Sequence, residues 1–126
     1  PFGDGPAQRR QIGDEVLQIV ARRINRGLSD DDLLSRYGGE EFAVLLPDAA
    51  LDQAVVIAER LREQVGSSPI KTSAATLSVT VSLGVAQFDD TDESIAQLLE
   101  RADRRLLIAK RRGRDCVVYD DQPGSQ

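Results

Sequence analysis

The stretch RYGGEEFAVLLPD, Arg36 to Asp48, sets two glycines and two glutamates directly before an apolar run that proline closes. Leu33 to Arg36 and Phe42 to Leu46 read as two short strands, and the Gly-Gly between them, able to take positive φ without steric cost, makes them a β-hairpin. Side chains alternate along a strand, so Glu40 and Glu41 are expected on opposite faces, and only one can easily face a given ligand. A carboxylate beside a bare glycine backbone suits Mg²⁺ held against a nucleoside triphosphate, because that ion takes one or two carboxylates plus phosphate oxygens. A solvated hairpin tip would need no more than the same four residues, so the rest of the chain must decide between the two.

Working outward, residues 1–12, PFGDGPAQRRQI, carry Gly and Pro with no sustained period and read as irregular. Gly13 and Asp14 look like a helix start with Asp14 as N-cap, and Val16, Leu17, Val20 and Ile24 then recur at helical spacing up to Gly27. After the hairpin, Ala54, Ile57, Ala58, Leu61 and Val65 trace one face of a second helix between Asp48 and the breaker GSSP. LSVTVSLGVAQF, Leu77 to Phe88, alternates as one long strand should. Ile95, Leu98, Leu99, Ala102, Leu106 and Ala109 form a third helix, with Gly113 placed as its C′ residue. RDCVVYD supplies a last strand, and residues 121–126 are a polar tail. The order helix, hairpin, helix, strand, helix, strand predicts an α+β fold, a mostly antiparallel central sheet flanked by helices.

Composition narrows the chemistry. The 126 residues suit one domain, occupying residues 13–120, and no long apolar run or signal-peptide pattern appears. A single cysteine, Cys116, rules out an intrachain disulfide and a zinc cluster, and fits a reducing cytoplasm. With no histidine, Ser-His and Cys-His catalysis are excluded, and carboxylates are left to bind any metal, which favours a hard ion. A net charge of −5 argues against general nucleic-acid binding.

Four blocks in order resemble one family. RYGGEEFAVLLP is similar to the signature of the GGDEF domain family, the diguanylate cyclases, in its Glu variant. GDEVL (Gly13 to Leu17) resembles the family's Gly-Asp-x-x-Leu, LSVTVSLGVA (Leu77 to Ala86) its Thr-x-Ser-x-Gly-x-Ala strand, and RADRRLLIAKRRGRD (Arg101 to Asp115) its Ala-Asp-x-Ala-Leu-Tyr-x-Ala-Lys-x-x-Gly-Arg-Asn helix end. The resemblance implies a palm-like nucleotidyl cyclase fold. It also implies condensation of two GTP into cyclic di-GMP plus two pyrophosphates, with Mg²⁺ or Mn²⁺, as part of bacterial second-messenger signalling. Each domain of a homodimer would present one GTP. A cytoplasmic domain is implied, within a longer protein that carries a sensory part and can be membrane-anchored.

Carried over position by position, Glu40 would be a metal ligand and a base toward the 3′-hydroxyl, with Glu41 assisting. Gly38 and Gly39 would make room for the nucleotide. Asp14 would accept hydrogen bonds from the guanine edge, and Lys110 and Arg114, four apart around Gly113, would hold terminal phosphates. Most cations in that helix end, Arg101, Arg104, Arg105, Arg111 and Arg112 among them, are accounted for by the helix dipole at about 0.3 to 1 kcal/mol each.

The chain departs from the pattern in four places. The motif's Tyr is Leu107, and its Asn is Asp115, which brings an anion near the proposed phosphate site. The family's inhibitory Arg-x-x-Asp, with five residues separating the Asp from Gly-Gly, falls on Ser29 and Asp32; the Asp is present and the Arg is not, so feedback inhibition there is expected to be weak or absent. The fourth departure is the strand Asp-x-Asp-x-Phe-Lys-x-x-Asn-Asp, source of the other metal ligand, which is not recognisable. Gly5 and Pro6 stand in place of Asn-Asp, or Phe2-Gly3-Asp4 stands for Phe-Gly-His with an insertion after it, or PAQRR matches Pro-Asn-Arg-Arg with the segment between lost. Without that strand the middle of the sheet would expose unpaired backbone, so the chain is expected to be part of a longer one or to have the gap filled by another segment or copy. A non-catalytic GGDEF-like module that binds GTP or a regulatory partner is the alternative function, and another palm-type nucleotidyl cyclase or polymerase relative is a third.

Overall fold

The structure, a computed structural model, describes residues 5–92 and 94–122. Its elements run α1 (Pro6–Arg26), β1 (Leu33–Tyr37), β2 (Glu41–Leu45), α2 (Leu51–Val65), β3 (Ile70–Lys71), β4 (Thr76–Leu77), β5 (Leu83–Gly84), α3 (Ile95–Arg111) and β6 (Val117–Val118). Helices and predominantly antiparallel ladders make an α+β fold, as the sequence predicts. The chain divides into two compact units: residues 1–47 with 64–79, and residues 48–63 with 80–126.

In the first unit, α1 corrects the expectation of an irregular segment up to residue 12. Gly5 is the N-cap and Pro6 opens the helix, where a missing N–H costs nothing; Ala7, Gln8, Arg9, Arg10 and Gln11 are all good helix formers. Gly13 and Asp14 therefore lie well inside α1 rather than at its start. The alternative match at Phe2-Gly3-Asp4 lies outside the described residues. Val20 and Ile24 on α1 are buried, as are Val65 at the end of α2 and Ile70 on β3. Arg23 fastens these pieces: its guanidinium donates to the carbonyls of Val65 (2.6 Å), Ser68 (2.7 Å) and Pro69 (3.2 Å) and to Ser68 Oγ (3.1 Å). Near the middle of the helix, both Glu15 carboxylate oxygens accept from Ser73, one from its backbone N–H (2.9 Å) and one from its hydroxyl (2.7 Å).

In the second unit, α3 packs on β5 and β6, which pair in parallel. Ser94 caps α3 by accepting from the Gln97 N–H. The approach at Gly84 is close enough that an added Cβ would lie 2.1 Å from the Ala102 carbonyl oxygen and 2.3 Å from the Leu106 nitrogen. Only glycine fits. Ala54, Ala58 and Leu61, one face of α2, are buried here together with Ala109, Val117 and Val118. Arg101 anchors the preceding loop through the Gln87 carbonyl and the Asp92 carboxylate.

The sheet is less continuous than the expected single one. The described ladders are three pairs, β1–β2 and β3–β4 antiparallel and β5–β6 parallel. Alternation over Leu77 to Phe88 requires only extended backbone; a ladder also requires a neighbour, and residues 78–82 have none in any of the three sheets. The last strand likewise shortens to Val117–Val118, while Asp121 and Gln122 of the tail are described and irregular.

Candidate functional site

The β1–β2 register pairs Leu33 with Leu45, Arg36 with Phe42 and Tyr37 with Glu41, which leaves Gly38, Gly39 and Glu40 as the turn. Glu40 thus sits on the turn, exposed, and not on a strand face as expected; Glu41 opens β2 and is half-buried. Gly38 has φ +76°, a conformation a side chain would strain. Gly39 has no such φ, and a Cβ there would meet nothing within 4 Å. Neither its backbone conformation nor a neighbouring atom therefore demands glycine at 39. Space is open over both glycines.

Arg36, which sequence reasoning passed over, holds this turn. Its Nε and Nη2 donate to the Gly39 carbonyl at 3.2 and 2.6 Å, and its guanidinium lies 5.9 Å from the centroid of the Phe42 ring across the ladder. The paired donors fix the direction of one carbonyl and so the course of the backbone into Glu40. Only the strand register, which sets Arg36 opposite Phe42, brings the contact to light.

Asp14 lies on α1 in the same unit, exposed. Because the helix begins at Pro6, its carboxylate is not spent on an N-cap. Asp32 is occupied differently: one of its oxygens accepts from both the backbone N–H and the hydroxyl of Ser29, each at 2.9 Å, within a tight turn.

Lys110 and Arg114 belong to the second unit, where Lys110 is half-buried in the last turn of α3. Beyond it Gly113 (φ +113°), Arg114 (φ +68°) and Asp115 (φ +50°) all take left-handed backbone. For the two residues with side chains this costs roughly 1–2 kcal/mol each, and the surroundings hold them in place. Arg114 N–H donates to Ala109 O (3.0 Å), Asp115 N–H donates to Ser82 Oγ (3.0 Å), and the Asp115 carboxylate accepts from Arg62 Nη1 (2.9 Å). Asp115, the anion beside Arg114, is thus paired with Arg62, which also meets Glu59.

The Glu40 carboxylate would suit a divalent ion only as one ligand among several. No group of three or more His, Cys, Asp or Glu side chains gathers among the described residues. Glu40 offers one exposed hard oxygen donor set beside open space, which suits an ion whose remaining ligands are phosphate oxygens, water and other carboxylates.

The profile of the family described as "Diguanylate cyclase, GGDEF domain" matches residues 10–116. The response regulator PleD of Caulobacter vibrioides is 44% identical over 109 residues, covering 85% of this chain and 24% of PleD. Diguanylate cyclase DgcP of Pseudomonas aeruginosa is 41% identical over 103 residues, 82% of this chain and 15% of DgcP. The chain thus spans a quarter or less of these two relatives. Among solved structures, the GGDEF domain of DgcB from Caulobacter crescentus, in complex with c-di-GMP, superposes with a TM-score of 0.80 at 34% identity, covering 94% of this chain and 69% of that one. The active GGEEF domain of a diguanylate cyclase from Vibrio cholerae gives a TM-score of 0.77 at 31% identity, with 88% and 70% covered.

Proposed function

The chain belongs to the GGDEF domain family of diguanylate cyclases, and from that premise we propose that it condenses two molecules of GTP into cyclic di-GMP with release of two pyrophosphates. The observation that carries this reading is the turn itself: a positive-φ glycine, a second glycine with open space around it whose carbonyl is held by Arg36, and the exposed Glu40 carboxylate. In each of two equivalent steps, the 3′-oxygen of one GTP bonds to the α-phosphorus of the other. The bond from that phosphorus to the α,β-bridging oxygen breaks, and pyrophosphate leaves. Glu40 accepts the 3′-hydroxyl proton, and the half-buried Glu41 beside it adds negative charge that favours the transfer. Asp14 accepts from the guanine N1–H and N2 amine, and the Lys110 and Arg114 cations hold the terminal phosphates.

Glu40 would also hold the divalent ion, Mg²⁺ or Mn²⁺, which when bound neutralises charge on the phosphates. Since each GTP must meet the other in line, two domains act as an antiparallel homodimer, each contributing one nucleotide. The setting is a cytoplasmic domain governed by a sensory part of a longer protein. Ser29 in place of arginine, with Asp32 bonded to it, supports weak or absent product inhibition at that position.

The test is incubation of the full-length protein with GTP and Mg²⁺, with chromatographic analysis of the nucleotides beside a Glu40→Ala variant. Cyclic di-GMP from the wild type and its loss in the variant are expected. A folded, dimeric wild type that binds GTP without turnover would overturn the enzymatic reading in favour of a regulatory module. Equal output from both proteins would overturn the role of Glu40.

A further inference from the structure

Three arginines of α1 line a cleft of about 350 Å³ in the first unit, facing the end of α2 and the Ser67-Ser68 turn that follows it. They differ in what they do. Arg23 is committed to three carbonyls and the Ser68 hydroxyl oxygen, so it forms a fixed wall. Arg22 and Arg26, one helical turn apart, are exposed, and among the described residues neither guanidinium has an ion pair or hydrogen-bond partner. Among the described residues, no carboxylate lines the cleft.

This arrangement is costly for a free surface. Residues at i, i+3 and i, i+4 on a helix are neighbours, and like charges there destabilise it. The helix dipole favours cations in the last turn of α1, yet it explains Arg23 and Arg26 without explaining why all three converge on one concavity in a chain of net charge −5. The Ser68 hydroxyl accepts from Arg23 and so keeps its own hydrogen to donate into the cleft. Guanidinium forks beside a hydroxyl donor are the chemistry of phosphate recognition. The cleft is roomier than one phosphate requires and falls within the range of small-molecule sites.

We infer that this cleft is a second anion site, separate from the glycine turn, which takes a small ligand carrying two or more linked phosphate groups. Arg22 and Arg26 bind the phosphates, and Arg23 and Ser68 set the shape.

Titration of the full-length protein with inorganic pyrophosphate in metal-free buffer tests it, read by calorimetry and by the ¹⁵N resonances of arginine side chains. The Arg22 and Arg26 Nε signals are expected to move on titration. Arg22→Ala/Arg26→Ala should weaken the affinity about tenfold or more, with the thermal midpoint kept because both side chains are exposed and unpartnered. Lys110→Ala/Arg114→Ala, which disables the phosphate contacts proposed for GTP, should leave this binding intact, so failure here is distinguishable from failure of the cyclase reading. Unmoved Arg22 and Arg26 signals at saturation would overturn the inference. So would an affinity lost only in the Lys110 and Arg114 variant, or binding to anionic vesicles that pyrophosphate does not compete away.

Discussion

The glycine turn and the α3 platform solve opposite problems. The β1–β2 hairpin leaves most of β1 exposed, Leu33 and Tyr37 included, and its tip is steadied by one exposed arginine. Around α3, Ala109 and Val118 are fully buried, Gly84 lies against the helix backbone, and Arg101 and Arg105 reach back to the carbonyls of Gln87 and Val85. Open space and an unburied carboxylate are what a charged ligand needs, and they are incompatible with a packed core. Replacing the Glu40 carboxylate should therefore cost activity without stability, and crowding the packed contact of α3 with β5 the reverse.

Glu40→Ala gives the largest separation. With the role proposed for Glu40 as ligand and base, its loss should lower cyclic di-GMP formation by roughly 10²–10³-fold or more. Its exposure predicts an unfolding free energy within about 0.5 kcal/mol of wild type. A comparable fall in stability would break the comparison. Next in size, Gly84→Ala drives a Cβ into the Ala102 carbonyl and the Leu106 nitrogen, rigid backbone that can yield only if α3 moves. About 3 kcal/mol of destabilisation, measured by denaturant titration, is expected from such overpacking.

Arg36→Ala tests the turn more finely. Removing the two hydrogen bonds to Gly39 O frees the backbone ahead of Glu40 while leaving the carboxylate in place. The expected outcome is about a tenfold loss of kcat, since small misplacements of reacting groups are costly, with little change in stability. Arg36→Lys, which keeps the charge and loses the fork, should recover only part of that rate.

How far these features were legible in the sequence follows from how local they are. The buried stripe Ala54, Ala58, Leu61, Val65 fixed α2 because helical period is a local property, and the hairpin followed from Gly-Gly between apolar runs. The start of α1 was not legible, since Gly13-Asp14 has the form of a helix start and gives no sign that Pro6 already began one. The long strand was read from alternation, which reports extended backbone and not the neighbour a ladder requires. Glu15 and Ser73, 58 positions apart, have no signature that pairs them. The candidate site residues were located through a family resemblance, whereas Arg36 emerged only once the register was known.

The smallest effect lies at the margin of the platform. Asp121 follows the last strand and is fastened to α3 by Arg104 (3.2 Å) and Arg105 (3.2 Å). Hydrogen bonding from Arg104, then from Arg105, lowers its pKa below the ordinary carboxylate value, with slight burial opposing. Because the folded pKa is the lower one, the stabilisation is present above the unfolded value of about 4 and is lost as pH falls through the folded value. Asp121→Asn should thus lower the Tm at pH 7, and the difference from wild type should close below about pH 4. Both Arg104 and Asp121 are solvent-exposed, so screening holds the shift to about 2 °C. A shift as large as that from Gly84→Ala would mean that charge at the rim, rather than close packing beneath it, holds α3 in place.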